Sequence, residues 1–373
     1  MIIGVPKEIK NHEYRVGLVT SSVRELTLLG HQVLVETQAG AGIGLSDADY
    51  ENAGAEIISD AKEVFTRSEM IVKVKEPQAA ERSALREGQI LFTYLHLAPD
   101  FQQTKSLIDS KAICIAYETV TDTLGKLPLL APMSEVAGRM SIQAAAQTLE
   151  NSYGGRGLLL SGVPGVEPAN IVILGGGVVG SNAARMAVGM RADVTLLDNN
   201  IDTLRQLDRE FRGAVKLRYA TREAIAQLVP RADAIIGAVL IPGAAAPKLI
   251  TAEHVRQMKP GSALIDVAID QGGCFETSHP TTHAQPTYIM DNIVHYCVAN
   301  MPGAVARTSA FALNNATLPY VTKIANLGYK KALLDDEGFL SGMNIMHGKV
   351  TCKEVATTFD LHYTVPTVAL SMH

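Results

Sequence analysis

Aromatic residues and cysteine are scarce in this chain. It has no tryptophan, and aromatic residues make up only 5% of its 373 positions. Its cysteines lack CxxC spacing and are too sparse for a disulfide framework, so we predict a reducing compartment and no zinc site. We interpret them as buried free thiols. They are Cys114, Cys274, Cys297 and Cys352.

An excess of positive charge is also missing. The formal net charge is -5, from 33 basic and 38 acidic residues, which argues against nucleic acid as a partner. The longest apolar stretches, residues 171–184 and 234–247, are interrupted by glycine or proline and are too short to span a bilayer. The N-terminus lacks the features of a signal peptide. We therefore expect a soluble, cytoplasmic protein that acts on small molecules and has no membrane partner.

Short β-rich runs alternate with longer stretches of helical period, which is typical of parallel sheets with crossover helices. The length favours two or three domains at roughly 150 residues each. We predict an α/β fold with two sheets, and helices at 21–29, 101–110 and 133–150. The strands predicted for the first sheet are 1–5, 32–36, 70–74, 89–94 and 112–117. Those predicted for the second sheet are 171–174, 194–197, 234–239 and 263–267.

A glycine-rich turn follows the first strand of the second series. The sequence GGGVVG at 175–180 opens an apolar helix, which is the context that a dinucleotide fingerprint requires. Gly175 would permit the tight turn, Gly177 the approach of a pyrophosphate, and Gly180 close packing of helix and strand. The alternative is a glycine turn with no nucleotide.

Acidic residues stand at the ends of two later strands. Asp198 lies where a carboxylate would bind the ribose hydroxyls and repel a 2′-phosphate, which favours NAD over NADP. The runs 235–240 and 264–270 are interpreted as further strands of this sheet, so their ends should line the nicotinamide side. Asp266 lies inside an apolar run, and we expect it to form a structural hydrogen bond.

Three cationic or titratable residues follow strands in the first third of the chain. Arg15 comes after the first strand, Lys75 after the run at 70–75, and His96 after the run at 91–95. Side chains at the carboxyl ends of parallel strands can meet at one face. Spacing alone leaves two interpretations open, a catalytic group or a structural histidine with two solvated surface charges.

Six segments of the chain together resemble the alanine dehydrogenase family. The resemblance runs nearly end to end, with the motifs in matching order. The segments are VPKEIKNHEYRV at 5–16, VKVKEP at 72–77, YLHLA at 94–98, LAPMSEVAG at 130–138, AIDQGGC at 268–274 and YCVANMP at 296–302.

This resemblance implies NAD-dependent oxidative deamination of L-alanine to pyruvate and ammonium, and the reverse reductive amination. It also implies a discontinuous catalytic domain, residues 1–128 with 307–373, into which a Rossmann domain at 129–306 is inserted. A homo-hexamer is implied as well.

The resemblance assigns roles to individual residues. His96 would be the general acid and base, and Asp270 would orient water or hold the amine. Arg15 and Lys75 would bind the carboxylate or carbonyl oxygens. The pocket would be walled by Tyr94, Met133 and Asn300. The remaining residues expected to contact the cofactor, besides Asp270 and Asn300, are Ser134, Gly175, Gly177, Val178, Val179, Gly180, Asp198, Val239, Leu240, Val267, Ala268, Ile269, Val298 and Met301.

The sequence departs from the family pattern at two kinds of position. Thr203 and Ala220 stand where many relatives have a lysine and a serine near the adenosine ribose, so a polar contact is lost at each. Lys323 and Leu327 stand where a divalent metal site would need acidic and histidine ligands. We predict no metal.

Two other functions remain as alternatives. The soluble nucleotide-binding subunit of a proton-translocating transhydrogenase shares the fold and some motifs, but it would carry an added loop that we do not find between Asp198 and Asp266. A non-catalytic NAD-sensing module would need the glycines of the fingerprint. It has no reason to combine the candidate site residues His96, Arg15, Lys75 and Asp270.

Overall fold

The computed structural model describes residues 1–239 and 246–372 and confirms the α/β class with two sheets. The chain forms two compact units. The first unit comprises Met1–Pro132 and the segment from Val305 to the C-terminus, and the second unit is Met133–Ala304. Within the described residues, no helix is both long and apolar enough to cross a membrane.

The strands and helices are numbered here in chain order. The strands are β1 (Ile2–Val5), β2 (Gln32–Glu36), β3 (Glu56–Ile58), β4 (Met70–Val72), β5 (Ile90–Thr93), β6 (Ile113–Ala116), β7 (Asn170–Leu174), β8 (Asp193–Asp198), β9 (Lys216–Tyr219), β10 (Ala234–Gly237), β11 (Ala263–Asp266), β12 (Thr287–Met290), β13 (Ile293–Tyr296), β14 (Met343–Met346) and β15 (Lys349–Val350). The helices are α1 (Thr20–Leu28), α2 (Asp47–Asn52), α3 (Ala61–Arg67), α4 (Ala79–Arg82), α5 (Phe101–Ser110), α6 (Ala131–Thr148), α7 (Val178–Gly189), α8 (Ile201–Phe211), α9 (Arg222–Leu228), α10 (Ala252–Gln257), α11 (Ala306–Leu327), α12 (Tyr329–Leu334), α13 (Glu337–Leu340), α14 (Lys353–Thr358) and α15 (Pro366–Ser371).

The sheet of the first unit has the order β15-β14-β6-β5-β4-β1-β2-β3. The strands from β3 to β6 pair in parallel, and β14 joins β6 in the antiparallel sense. Every residue of β4, β5 and β6 is buried, as expected for parallel strands that are covered on both faces. The chain leaves β1 towards β2 and later returns on the other side at β4, so the strand order reverses between β1 and β4. Ligands of open α/β sheets bind at such a reversal.

The sheet of the second unit repeats this topology, with the order β12-β13-β11-β10-β7-β8-β9. Its strand order reverses between β7 and β10, while β12 is an antiparallel edge strand. Strand β7 shows how the sheet divides the core. Ile171 and Ile173 pack into one apolar cluster with α6 and α7, whereas Val172 and Leu174 pack into another with α9 and α10.

Several strand ends differ from the prediction. Strand β10 ends at Gly237, and β11 ends at Asp266, where residues Val267–Gln271 turn into a 3-10 helix instead of continuing the strand. The carboxylate of Asp266 accepts hydrogen bonds from the main chain of Cys274 and Phe275, so the chain has to curl back at this point. Strands β3, β9 and β12 to β15 were not predicted; of these, β3, β9, β12 and β15 lie at sheet edges.

Close packing of α6 on α7 generates a test of the second unit's core. A Cβ added at Gly138 would lie 2.2 Å from the carbonyl oxygen of Val179. We expect Gly138→Ala to lower the free energy of unfolding by about 1 to 3 kcal/mol, because the two helices must separate. Denaturant unfolding of the full chain measures this. Gly189→Ala, at the end of α7 with nothing within 4 Å, is the matched control and should not destabilise. Equal stability of the two variants would contradict the packing described.

Candidate functional site

The loops that follow β1, β4 and β5 carry Arg15, Lys75 and His96. These strands are neighbours in the sheet, and the reversal of strand order lies between β1 and β4. The structure therefore brings the three residues to the same carboxyl edge of one sheet, as the sequence predicted. The environment of each residue shows what it can do.

Arg15 is buried, with only 2% of its surface exposed, and it pairs with a buried carboxylate. Its Nε and Nη2 atoms donate to the two carboxylate oxygens of Glu13 at 2.7 and 2.5 Å. Burial alone would raise the pKa of Glu13, but the hydrogen bonds and the charge of Arg15, with help from Lys75, hold it below its ordinary value. Glu13 thus fixes the plane of the guanidinium, a geometry that suits binding of a second carboxylate.

Lys73, two residues before the predicted ligand, is fully buried in an ion network that sequence reasoning missed. Its Nζ atom lies 3.1 Å from Glu8 and 2.6 Å from Glu81. Burial would lower the pKa of Lys73, but the two carboxylates outweigh burial and raise it, so the ammonium stays charged. Burial is the largest cause of a raised pKa at Glu8, and it outweighs the opposing charge of Lys73; the charge of Glu81 raises this pKa further. The only signal in the sequence is the alternation of lysines at 73 and 75.

The same network holds the main chain at Lys75. Glu8 accepts hydrogen bonds from the N–H groups of Val74 at 2.7 Å and Lys75 at 3.3 Å. The side chain of Lys75 is half-buried, and its charge lowers the pKa of Glu13 and of Glu76. Glu76 also pairs with Lys10. The buried network therefore fixes the main chain of Lys75 at the carboxyl edge of the sheet.

His96 is exposed, and its ring stacks on the buried ring of Tyr94 with centroids 5.8 Å apart and planes 12° apart. The Tyr94 hydroxyl donates to the carbonyl oxygen of Leu129 at 2.6 Å. Burial raises the pKa of Tyr94 well above its ordinary value, so the phenol stays neutral. The backbone of His96 is left-handed, with φ of +47°. Its N–H group donates to Glu118 at 2.6 Å.

In the second unit, the glycine turn at the end of β7 has the geometry of an anion site. Gly175 has φ of +100°, and a Cβ there would meet the carbonyl oxygen of Ala238 at 2.8 Å. A Cβ on Gly180 would lie 1.8 Å from the carbonyl oxygen of Gly175. Gly177 caps α7, and nothing lies within 4 Å of its Cβ position. The N–H groups of Val178 and Val179 begin the helix, so the positive end of its dipole meets open space.

Asp198 ends β8 beside this turn. One of its oxygens accepts from the N–H group of Gly176 at 2.6 Å, and the other from Asn200 at 2.7 Å. Thr203 lies near the turn, 3.0 Å from a Cβ added at Gly176, and the N–H group of Ala220 donates to the carbonyl oxygen of Asp198. An ionised carboxylate has about four acceptor positions, so Asp198 retains capacity for ribose hydroxyls.

The 3-10 helix after β11 carries Asp270 on its exposed side. Val267 is half-buried, while Ala268 and Ile269 are buried. Asp266 is fully buried, and it accepts from Ser278 at 2.6 Å besides the two main-chain N–H groups. It forms the structural hydrogen bonds that we expected, and it closes the turn that presents Asp270.

The other predicted residues of the second unit lie on α6 and on the loops after β10 and β13. Asn300 has a left-handed backbone with φ of +63°, and His283 contacts its carbonyl oxygen at 3.1 Å. Leu240 lies outside the described residues. The remaining positions are the buried Val298, Met301 and Met133, and the half-buried Val239 and Ser134, the last in the first turn of α6.

No cluster of three histidine, cysteine or acidic side chains suited to a metal occurs within residues 1–239 and 246–372. Lys323, at the position where a metal ligand would be needed, donates to Asp336 at 3.0 Å. Leu327, the other such position, is partly exposed on α11.

Two family models match the chain. Residues 4–137 match the N-terminal domain of alanine dehydrogenase/PNT, and residues 141–353 match its C-terminal domain. The chain belongs to the alanine dehydrogenase/PNT family. The resemblance seen in the sequence is thereby confirmed.

Relatives in this family match over nearly their whole length. An alanine dehydrogenase of Halomonas elongata is 59% identical over 97% of this chain and 98% of the relative. One from Methanococcus maripaludis is 55% identical over the full length of both chains. A solved L-alanine dehydrogenase structure superposes with a TM-score of 0.94 at 52% identity, covering 96% of this chain and 99% of the other.

A transhydrogenase from Sinorhizobium meliloti also has this fold, with a TM-score of 0.81 over 95% of this chain and 99% of the other. Its identity is only 24%, so this likeness shows the fold alone.

The Arg15–Glu13 pair leads to a prediction about stability and pH. Glu13→Gln should lower the free energy of unfolding at neutral pH by about 3 to 5 kcal/mol, because it leaves the guanidinium buried opposite a neutral group. The folded-state pKa of Glu13 lies below 4.5. The stabilisation is therefore complete above that pH and is lost as the pH falls through the folded-state pKa. Denaturant unfolding across this range should show wild type and variant converge in acid.

Glu63→Gln is the control, since Glu63 belongs to an exposed pair with Arg67. It should leave the unfolding free energy nearly unchanged at every pH. A Glu13→Gln variant as stable as wild type at neutral pH would contradict the role assigned to the buried pair.

Proposed function

We propose that this protein catalyses the NAD-dependent oxidative deamination of L-alanine to pyruvate and ammonium, and the reverse reductive amination. One observation carries the proposal. The chain is 50 to 59% identical over nearly its whole length to proteins named alanine dehydrogenase. The placement of Arg15, Lys75 and His96 at one sheet edge supports it, because an amino-acid substrate needs a cation for its carboxylate and a group that moves protons.

The second unit, which corresponds to the predicted domain at 129–306, is proposed to hold NAD. The open space over Gly177, the left-handed Gly175 and the position of Asp198 fit a dinucleotide pyrophosphate and ribose. NAD supplies the hydride acceptor when it is bound. Ser134, Val239 and the segments 267–270 and 298–301 are proposed as its further contacts. Leu240, which lies outside the described residues, is proposed as another.

In the first unit, which corresponds to the predicted residues 1–128 and 307–373, Arg15 and Lys75 are proposed to bind the oxygens of the substrate. The guanidinium is held in one plane by Glu13, so its donors have a fixed direction. Lys75 adds a point charge whose main chain is fixed by Glu8. A guanidinium of fixed orientation with a second cation nearby would orient the α-carbon before the reaction, which removes an entropic part of the barrier.

Proton movement is assigned to His96 and Asp270. The amine must be neutral before oxidation, and water must lose a proton as it adds to the iminium. An imidazole can take and return such protons near neutral pH. His96 is exposed at its strand end, and Asp270 is exposed on its turn, so both side chains are accessible to substrate and water. Tyr94, Met133 and Asn300 are proposed as further contacts of the substrate.

The direct test is the appearance of NADH absorbance after L-alanine is added to the protein with NAD at alkaline pH. His96→Asn should lower this turnover by about 10² to 10⁴, the usual worth of an acid and base catalyst. Asparagine is chosen because it tolerates the left-handed backbone at this position, so only the imidazole is removed.

NADH fluorescence titration and thermal melting are the controls, and both should match wild type. If His96→Asn retained more than about a tenth of wild-type turnover, His96 would be a structural residue. Wild-type protein that binds NADH but shows no L-alanine-dependent reduction of NAD would overturn the proposed function and favour a nucleotide-binding role alone.

The choice of NAD over NADP is a separate prediction. Asp198→Ser should lower kcat/KM for NAD by about 10- to 150-fold, the effect of losing a charge-assisted hydrogen bond, and should raise the relative use of NADP. Initial rates with each cofactor at saturating L-alanine measure this. Asp202→Ser removes one nearby exposed charge without touching the glycine turn, and it should leave the preference unchanged. Equal use of both cofactors by wild type would contradict the assignment.

The homo-hexamer that the family resemblance implies also remains a proposal. Light scattering coupled to size exclusion would determine the assembly directly.

A further inference from the structure

We infer that Glu118 is a positioning residue for the reaction. It holds the backbone of His96 in a strained conformation and thereby aims the imidazole. The inference rests on the proposed role of His96 in proton transfer. Glu118 lies in the 3-10 turn Tyr117–Thr119, directly after β6 and beside the strand that leads to His96.

The first observation is backbone strain at the candidate catalytic residue. His96 has φ of +47°, in the left-handed region that residues with a Cβ seldom adopt. Such a conformation persists only where the surroundings hold it. Because the direction of a side chain follows from the backbone dihedrals, a return to ordinary values would turn the imidazole away from its present position.

The second observation is that the carboxylate of Glu118 binds the main chain at this strained point. Its Oε1 atom accepts from the N–H groups of Leu95 at 3.0 Å and His96 at 2.6 Å, and its Oε2 atom lies 3.2 Å from the same Leu95 nitrogen. Hydrogen bonds to an ionised acceptor are roughly twice as strong as neutral ones. Two successive N–H groups that converge on one carboxylate fix the peptide between them.

Neighbouring contacts fix the rest of the loop that carries His96. The Gln103 side chain donates to the carbonyl oxygen of Leu95 at 2.5 Å, so both polar groups of Leu95 are held. The ring of Tyr94 stacks on the imidazole. Glu118 is half-buried and bonds to the backbone of residue 96, so its expected effect on the reaction passes through His96 and requires no contact with substrate.

Two variants of the full chain test this inference. Glu118→Gln keeps an acceptor oxygen at the same reach but loses the charge, whereas Glu118→Ala removes both. We expect kcat for pyruvate amination to fall by roughly 100-fold in Glu118→Ala, the cost of a misplacement of about 1 Å, and by less in Glu118→Gln. The NADH dissociation constant should not change, because the proposed contacts of NADH lie on the second unit.

Isotope effects separate positioning from a general loss of stability. If proton transfer is the step that slows, the solvent deuterium isotope effect should rise in Glu118→Ala. The primary effect with 4-deuterated NADH should fall towards one. Asp60→Ala is the matched control, because Asp60 is a carboxylate of the same unit that accepts from the N–H group of Lys62 at 3.0 Å and caps α3. It should lower thermal stability without altering either isotope effect.

A crystal structure of Glu118→Ala tests the inference independently of activity, and thus of the proposed function. Movement of φ at residue 96 out of the left-handed region supports it. A left-handed His96 in that crystal, unchanged isotope effects with reduced kcat, or wild-type turnover in Glu118→Ala would each overturn it. If wild type itself failed to use L-alanine, the proposed function would fail, while the crystal structure would still decide whether Glu118 holds the backbone.

Discussion

Carboxylates that accept hydrogen bonds from main-chain N–H groups hold the loops on which the candidate site depends. Glu8 binds the N–H groups of Val74 and Lys75, Glu118 those of Leu95 and His96, and Asp266 those of Cys274 and Phe275. In each case two successive residues are fixed at or near the point where a parallel strand ends. The hydrogen bonds of a sheet fix the main chain only within its strands. Beyond the strand ends, these carboxylates fix the main chain of the loops.

This constraint explains why acidic side chains are buried at a cost. Glu8 is 7% exposed and Asp266 is fully buried. Burying an ionised group is unfavourable unless it is paired and hydrogen-bonded, and each of these carboxylates has several donors. The same logic applies to Glu13, whose two oxygens are both occupied by Arg15. Rigid placement of the cations is therefore obtained from ion pairs within the fold, before any substrate arrives.

The sequence predicted much of this arrangement. The alternation of β-rich and helical stretches was sufficient for the α/β class. The central strands were found because β4, β5 and β6 are runs of mostly apolar residues. The glycine spacing predicted the turn at Gly175. The structure has a φ of +100° there, which is a conformation that glycine adopts easily. The position of a residue just after an apolar run was enough to select His96 and Lys75 as candidates.

What the sequence could not reveal are interactions between residues far apart in the chain. Glu118 and His96 are brought together only because β5 and β6 are neighbours, and no local pattern marks the pair. Lys73 illustrates the same point. It resembles a surface lysine in an alternating run, yet two glutamates from other segments enclose it. The end of β11 at Asp266 likewise depends on the return of the chain at Cys274.

The return of the chain at β14 has a consequence for the order of events during synthesis on the ribosome. Strand β14 pairs with β6, more than two hundred residues earlier, and β15 follows it. The second unit is continuous in sequence, so all of its strands have emerged before β14 is made. The sheet of the first unit is completed only when residues 343–350 are available, which leaves one side of β6 without its partner until then. An uncovered strand of this kind is open to pairing with other chains, and the nascent protein carries that exposure until residues 343–350 have left the ribosome.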